Sequence, residues 1–378
     1  MNSRERLMAT LRGEQVDRPA VSFYEIGGFA INPSDPNPFN IYSDPSWQPL
    51  LRLAEEQTDI IRMRGPKLSF VYEDVRNRHF SEETYMKNGS KFVVTRIKAG
   101  GREFTSLTRR DPDVDTIWTL KHFLSDADDL KAYLTLPDEA FIQKSDTSNL
   151  LTAEEAVGDR GIVMVDVPDP LVLAAQLFSM EDYTIIALTE PELFHTLLEK
   201  YAKNLYRIIE QVSEQFPGRL WRICGPEYAC EPYLPPRLFN DYVVRYAGPM
   251  VKAIQKHGGF ARIHCHGRLK AILPYIAEMG ADGLDPVEPP TQGDVELEYV
   301  RREYGQNMVL FGNLEITDIE NMDSADFEKV VARALTEGTA GRGRGFVLMP
   351  SASPYGRTIT PRTLANYKTM VRLAKECR

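Results

Sequence analysis

The stretch Phe260-Ala261-Arg262-Ile263-His264-Cys265-His266-Gly267 sets two imidazoles two residues apart at the end of a short apolar run. Successive side chains of a strand point to opposite faces, so His264 and His266 share one face and Cys265 points away, toward covering helices. Two imidazoles at that spacing suit zinc or another borderline divalent metal, yet they are half a site. Glu288 closes the next apolar run and is stiffened by Pro289-Pro290, which makes it the expected third ligand. Asp285 is the expected support, orienting a histidine through its other ring nitrogen. The competing reading makes each histidine a core residue bonded to a neighbouring carboxylate, and Glu288 a loop acid paired with Arg268 or Arg301.

Further polar residues follow the other apolar runs: Tyr24, Glu25, Asp166, Asp169, Glu227, Tyr228, Asn313, Glu315, Ser351, Ser353 and Tyr355. Glu227 and Tyr228 join Asp285 as expected catalytic groups. Tyr24, Glu25, Asp166, Asn313, Ser351 and Tyr355 are expected to contact substrate.

Something must bring these scattered positions together. The sequence predicts strands at 20–26, 58–63, 161–167, 219–224, 260–266, 281–287, 308–312 and 345–349. Helical spacing follows many of them, as at 47–56, 191–216, 236–257, 269–279, 326–337 and 363–376, with Gly258-Gly259 and Gly280 at helix ends. Strand and helix in strict alternation predict an α/β fold, a (β/α)8 TIM barrel, with a doubly wound open sheet as the competing architecture. In such a barrel, chemistry sits at the C-terminal strand ends, where the polar residues above fall. The Gly341-Arg342-Gly343-Arg344-Gly345 run precedes the last strand and is expected at the opposite end.

The alternation is broken at about 84–136, where two β-rich runs flank Lys98-Ala99-Gly100-Gly101 and Asn88-Gly89 marks another turn. An inserted β-hairpin region with a following acidic helix, 126–134, is expected there, on a single barrel domain spanning 1–378. The Pro- and Asn-rich loop 32–45 is long enough to serve as a lid.

A formal net charge of −9 argues against nucleic-acid or anionic-membrane partners, and 43% hydrophobic residues in 378 allow a large core. The four cysteines form no CxxC pair, and no apolar run is long enough to span a membrane, so a reduced, cytoplasmic setting is expected. The apolar segment 171–180 can cover the barrel or face a second subunit of a homodimer, and the sequence leaves that choice open.

The segments HCHG, GADGLDPVEPPTQGD and YGQNMVLFGNLE resemble the second half of the uroporphyrinogen decarboxylase superfamily. The opening SRERLMATLRGEQVDRPAV and the closing LMPSASPYGRTITPRTLANY are similar to its ends. The superfamily includes zinc-dependent methyltransferases that exchange a methyl group with a corrinoid protein. True uroporphyrinogen decarboxylases carry an arginine-rich segment after the first strand, where this chain has Ser22-Phe23-Tyr24-Glu25-Ile26-Gly27-Gly28, with no counter-charge for a polyanionic porphyrinogen. The methyltransferase branch carries His-x-Cys at the fifth strand and a late second Cys. Here His266 replaces the first thiol, and Pro350-Ser351-Ala352-Ser353 the second. The resemblance implies a metal-assisted methyltransferase or demethylase moving a methyl group between a small methylated compound and a corrinoid protein or thiol. Two alternatives stand beside it. One is a metal-free decarboxylase using Tyr228 and Asp166 for proton transfer. The other is a non-catalytic tetrapyrrole- or corrinoid-binding protein.

Overall fold

A computed structural model describes residues 1–28 and 31–377. Eight parallel strands form one sheet: β1 Ala20–Val21, β2 Ile60–Arg64, β3 Gly161–Pro168, β4 Leu220–Cys224, β5 Phe260–His264, β6 Gly283–Asp285, β7 Val309–Leu314 and β8 Phe346–Pro350. Their spatial order runs β1, β8, β7, β6, β5, β4, β3, β2. Sequence neighbours from β2 to β8 are therefore spatial neighbours, and β8 returns to β1, as in the expected (β/α)8 arrangement. The edge strands meet where Asp59 N–H donates to Val21 O at 2.7 Å. At the same seam the buried Asp59 carboxylate accepts from Val21 N at 3.0 Å and pairs with Arg6 at 2.6 Å and Arg18 at 2.8 Å. A side chain thus supplies an acceptor where the short β1 offers little ladder.

Alternation along the strands separates two apolar cores. Inside the barrel, Leu220, Ile162, Met164, Val309, Phe311, Val347 and Met349 pack together, and Leu7 and Leu11 join them from helix Ser3–Arg12. That helix begins at a reciprocal cap between Asn2 and Glu5, which satisfies two otherwise orphaned N–H groups. Outside, the opposite strand faces, Trp221, Ile223, Ala261 and Ile263 among them, pack against helices such as Pro191–Gln215 and Arg245–Lys256. The apolar plug fills the inner volume only part-way. Above it the inward positions of β4 and β5 turn to Arg222, Arg262 and His264.

Several boundaries differ from the sequence reading. The first strand is two residues long, and Tyr24–Gly28 is helical. The predicted helix 236–257 divides into Arg237–Phe239, a π-helical turn Asn240–Val244, and Arg245–Lys256, which contains Pro249. Proline lacks the N–H that a regular ladder would use, so the wide turn before it matches the sequence.

The inserted region is a four-stranded antiparallel sheet, Phe80–Lys87, Ser90–Ala99, Arg102–Arg110 and Ile117–Lys121, larger than a hairpin. Its first turn places Asn88 and Gly89 at φ 51° and 82°, the left-handed pair that a tight hairpin requires. Asp126 caps the following helix Ala127–Leu134. A second small pairing joins Lys67–Phe70 to Gln143–Asp146. Within loop 32–45, Phe39 O accepts from Arg110 at 3.0 Å, and Arg357 also reaches Pro38 O, so the loop is tied to the insertion and to the segment after β8. The Gly341–Gly345 run lies at the opposite end from the C-terminal strand ends, where Arg344 donates to Leu11 O at 2.9 Å. Among the described residues no helix is long and apolar enough to cross a membrane.

Candidate active site

Register builds the mouth. His264 is paired in the ladder with Cys224 on one side and Asp285 on the other, so three strand ends meet at one level. His264 Nδ1 lies 2.7 Å from Asp285 Oδ2. The other carboxylate oxygen, Oδ1, is 2.9 Å from Arg262 Nε, and neither side chain of that ion pair reaches solvent. The Arg262 guanidinium is flanked by the Tyr24 and Phe311 rings at 4.6 and 4.8 Å. Tyr24 closes the group, its hydroxyl 3.0 Å from Glu25 Oε1 and 3.4 Å from Asp285 Oδ2. Glu25 in turn accepts from Ser353 N at 2.7 Å, which ties the first strand end to the last.

His266 makes a second pair. Its Nδ1 lies 2.7 Å from Glu288 Oε1, while Glu288 Oε2 accepts from Gly267 N at 2.8 Å. Gly267 turns there at φ 86°, a conformation costly for a residue with a Cβ. The two imidazoles stand edge to face, with centroids 4.7 Å apart and planes at 86°.

Their environments separate their protonation states. Burial drives His264 down to about 3, against the pull of Asp285, so its imidazole is neutral. Burial acts the same way on His266, but the hydrogen bond and charge of Glu288 outweigh it and raise the group to about 9. Burial raises Asp285, and the charge of Arg262 together with the hydrogen bond from His264 holds it well below the usual carboxylate range.

A ring of acids surrounds the pair. Glu227 is pushed up by burial and accepts from Gly225 N at 3.1 Å. Glu315 is raised to about 7 by burial and by the charge of Glu288. Ser351 Oγ, which accepts from Ile316 N at 3.1 Å, donates to Glu315 Oε2 at 3.3 Å, while Glu315 Oε1 is buried without a partner among the described residues. Asp169, fully buried, caps the helix Pro170–Ala175 and is raised far above its ordinary value by burial.

The structure brings together two hydrogen-bonded sets, Tyr24, Glu25, Asp285 and His264 in one and His266 and Glu288 in the other, joined by the edge-to-face contact of the two imidazoles. Asp166 sits below it, paired with Arg222 at 2.8 Å. Asn313 lies buried at the end of β7. Tyr228 stacks edge-on to Tyr183 at 6.1 Å. Tyr355 joins neither set among the described residues: the residue is 59% exposed, and its carbonyl accepts from Asp115 N in the insertion. Cys265 faces the outer core, with Sγ 3.4 Å from Cys230 Sγ. Sequence reasoning passed over Arg222 and Arg262, which are ladder partners on β4 and β5. An arginine at an inward position of an otherwise apolar strand was the available signal.

Glu288, the expected third ligand, has both oxygens spent on His266 and Gly267. His266, raised to about 9 by Glu288, is protonated at neutral pH when no cation is bound. Among the described residues no group of three or more His, Cys, Asp or Glu side chains is arranged to hold an ion. As folded, the group is a neutral imidazole beside an imidazolium–carboxylate pair, with Glu288 bonded to His266 and Gly267.

Both pairs make stability depend on pH in a defined way. A histidine raised from 6.5 to about 9 contributes stability that is full below 6.5 and lost as pH rises through about 9. A histidine lowered from 6.5 to about 3 acts oppositely, since the unfolded chain takes up its proton first and stability falls as pH drops below 6.5. The site terms therefore peak near pH 6.5. Thermal melts across pH are expected to show an alkaline decline that His266→Gln removes; an unchanged decline in that variant would refute the assignment.

An α/β barrel with its ionisable groups gathered at the C-terminal strand ends has the layout of barrel enzymes. The chain belongs to the uroporphyrinogen decarboxylase (URO-D) family, whose model matches residues 120–377. Among solved structures it is similar to a methyltransferase from Methanosarcina mazei, at 16% identity and TM-score 0.59, covering 100% of this chain and 99% of that one. An L-ribulose 3-epimerase structure matches at 11% identity and TM-score 0.39, over 67% of this chain and 91% of that one. No curated protein matches the chain by sequence.

Proposed function

We propose that the chain is a methyltransferase that takes the methyl group of a small methylated compound and passes it to a corrinoid protein or a thiol. The observation carrying the reading is the His266 and Glu288 pair, a proton donor fixed at the barrel mouth beside a neutral imidazole. As a methyl group leaves oxygen, nitrogen or sulfur for a nucleophilic acceptor, the atom left behind gains an electron pair. The His266 proton neutralises it, Glu288 holds the imidazole in place, and the demethylated compound departs protonated. Neutral His264, locked by Asp285, is an acceptor for a substrate N–H or O–H. Glu227 and Glu315, raised by burial, shuttle protons without placing full negative charge against the leaving atom. The full-length fold shared with the archaeal methyltransferase is compatible with this reading.

A second reading keeps a divalent metal, zinc by preference, on His264 and His266. Its support is the bonding of each Nδ1 to a carboxylate, an arrangement common to metal-bound histidines. The deciding experiment combines methyl transfer from methyl ethers, methylamines and thioethers to reduced corrinoid or thiol with elemental analysis of the purified protein. Methyl transfer by metal-free protein supports the acid-assisted reading. Transfer that requires stoichiometric zinc supports the second. Release of carbon dioxide from a carboxylate, with no methyl transfer to either acceptor, overturns both.

A further inference from the structure

Away from the mouth, Arg76 is a cation without an anion among the described residues. It lies on the helix Glu73–His79, ahead of the inserted sheet. Its guanidinium is clamped between the rings of Phe70 and Phe80, 3.9 Å from each centroid, and Nη1 donates to Ala140 O at 3.1 Å. No carboxylate pairs with it among the described residues; the charged or polar groups that act on it are the hydroxyls of Tyr133 and Tyr201. Burial lowers its pKa, and a guanidinium nonetheless stays protonated. A half-buried charge with no counter-charge costs stability unless a ligand supplies one.

This cation lines a cavity of about 340 Å³. The volume falls within the roughly 300–1,000 Å³ of small-molecule sites. Its walls are aromatic. Phe141 stands edge-on to Phe80, Tyr133 and Tyr201 at 6.1, 6.3 and 5.9 Å, and the two tyrosine hydroxyls satisfy each other at 2.7 Å. Thr95 of the inserted sheet forms another wall. None of the mouth residues described above lines it.

We propose that this cavity is a second binding site, separate from the barrel mouth, for a planar aromatic carboxylate. The carboxylate takes the guanidinium nitrogens of Arg76 not spent on Ala140, and the ring lies among Phe80, Phe141 and Tyr201. Two features select this class over its relatives. A neutral aromatic leaves Arg76 uncompensated, and a small aliphatic acid leaves the aromatic walls wet.

The test is calorimetric titration of the full chain with benzoate, alongside benzyl alcohol and acetate. Benzoate is expected to bind one to one, with each comparison compound weaker by about tenfold or more, the scale of one charge-assisted bond. Arg76→Met is expected to weaken benzoate by a similar factor, and Thr95→Trp, which fills the cavity and spares Arg76, to abolish binding. His266→Gln is expected to leave binding unchanged, which separates this site from the mouth and from any failure of the methyltransferase reading. Where Arg76→Met does not fold, Thr95→Trp and the ligand series decide. Absent benzoate binding, equal binding of benzyl alcohol, full binding by Thr95→Trp, or loss in His266→Gln would each overturn the proposal.

Discussion

Replacing Asp285 by alanine is expected to destabilise the protein by about 3–5 kcal/mol, the cost of leaving a buried charge without its partner. Arg262 and Asp285 are both inaccessible to solvent, and the 2.9 Å contact between them is the arginine's carboxylate pairing. The carboxylate also fixes His264 and receives Tyr24, so one truncation strands a guanidinium and releases two rings. Urea denaturation reads the effect. The control is the double variant Arg262→Met/Asp285→Leu, which removes both charges and should recover most of the loss, because apolar replacement of a buried pair is often neutral. An Asp285→Ala midpoint indistinguishable from the parent would show that the pair does not hold the mouth together.

The second large effect falls on the reaction. His266→Gln is expected to lower methyl transfer by about 10²–10⁴-fold, the usual contribution of a positioned acid. A loss of that size could also follow from a displaced substrate, and Glu288→Gln separates the two causes. It keeps a hydrogen-bonding side chain and removes the charge that raises His266 to about 9. With the histidine returned toward 6.5, its protonated fraction at pH 8 drops about thirtyfold, and the alkaline limb of the rate profile should move down by about 2.5 pH units. A profile with an unshifted limb would rule out His266 as the proton donor. The His266 variant should fold because that side chain is one-third exposed, and Glu288→Gln because the amide keeps an acceptor for the Gly267 N–H.

The barrel was legible because β2 to β8 are apolar runs in alternation with helical periods, and the observed strand order decides for it over the doubly wound sheet that the same alternation allows. The first strand was misread for a physical reason. Ala20 to Ile26 is largely apolar, but from Tyr24 the chain is a helix turn that carries Tyr24 and Glu25 to the barrel mouth, and periodicity cannot distinguish the two over so few residues. The histidine pair and Asp285 were legible from spacing. The role of Glu288 was not, because a carboxylate one strand away can bind the same ion as an imidazole or bind the imidazole itself, and only the 2.7 Å contact with Nδ1 shows which arrangement the chain adopts. Arg222 and Arg262 were hidden by the habit of reading strands for their apolar members. Tyr355 was drawn into the expected site by its place after β8, but the chain there turns outward to pair with the insertion.

The seam between β1 and β2 carries this layout into motion. Elsewhere in the barrel, neighbouring strands share ladders of up to five paired residues, whereas these two meet through Asp59 and Val21. Amide exchange at these two residues should therefore outpace that of β4 and β5, because opening the seam breaks the fewest backbone bonds. The residue that follows β1 by three positions is Tyr24, whose hydroxyl reaches Asp285. The line along which the barrel parts most readily is thus also the one that carries a wall of the active mouth, so breathing of the fold and access to its chemistry share a single hinge.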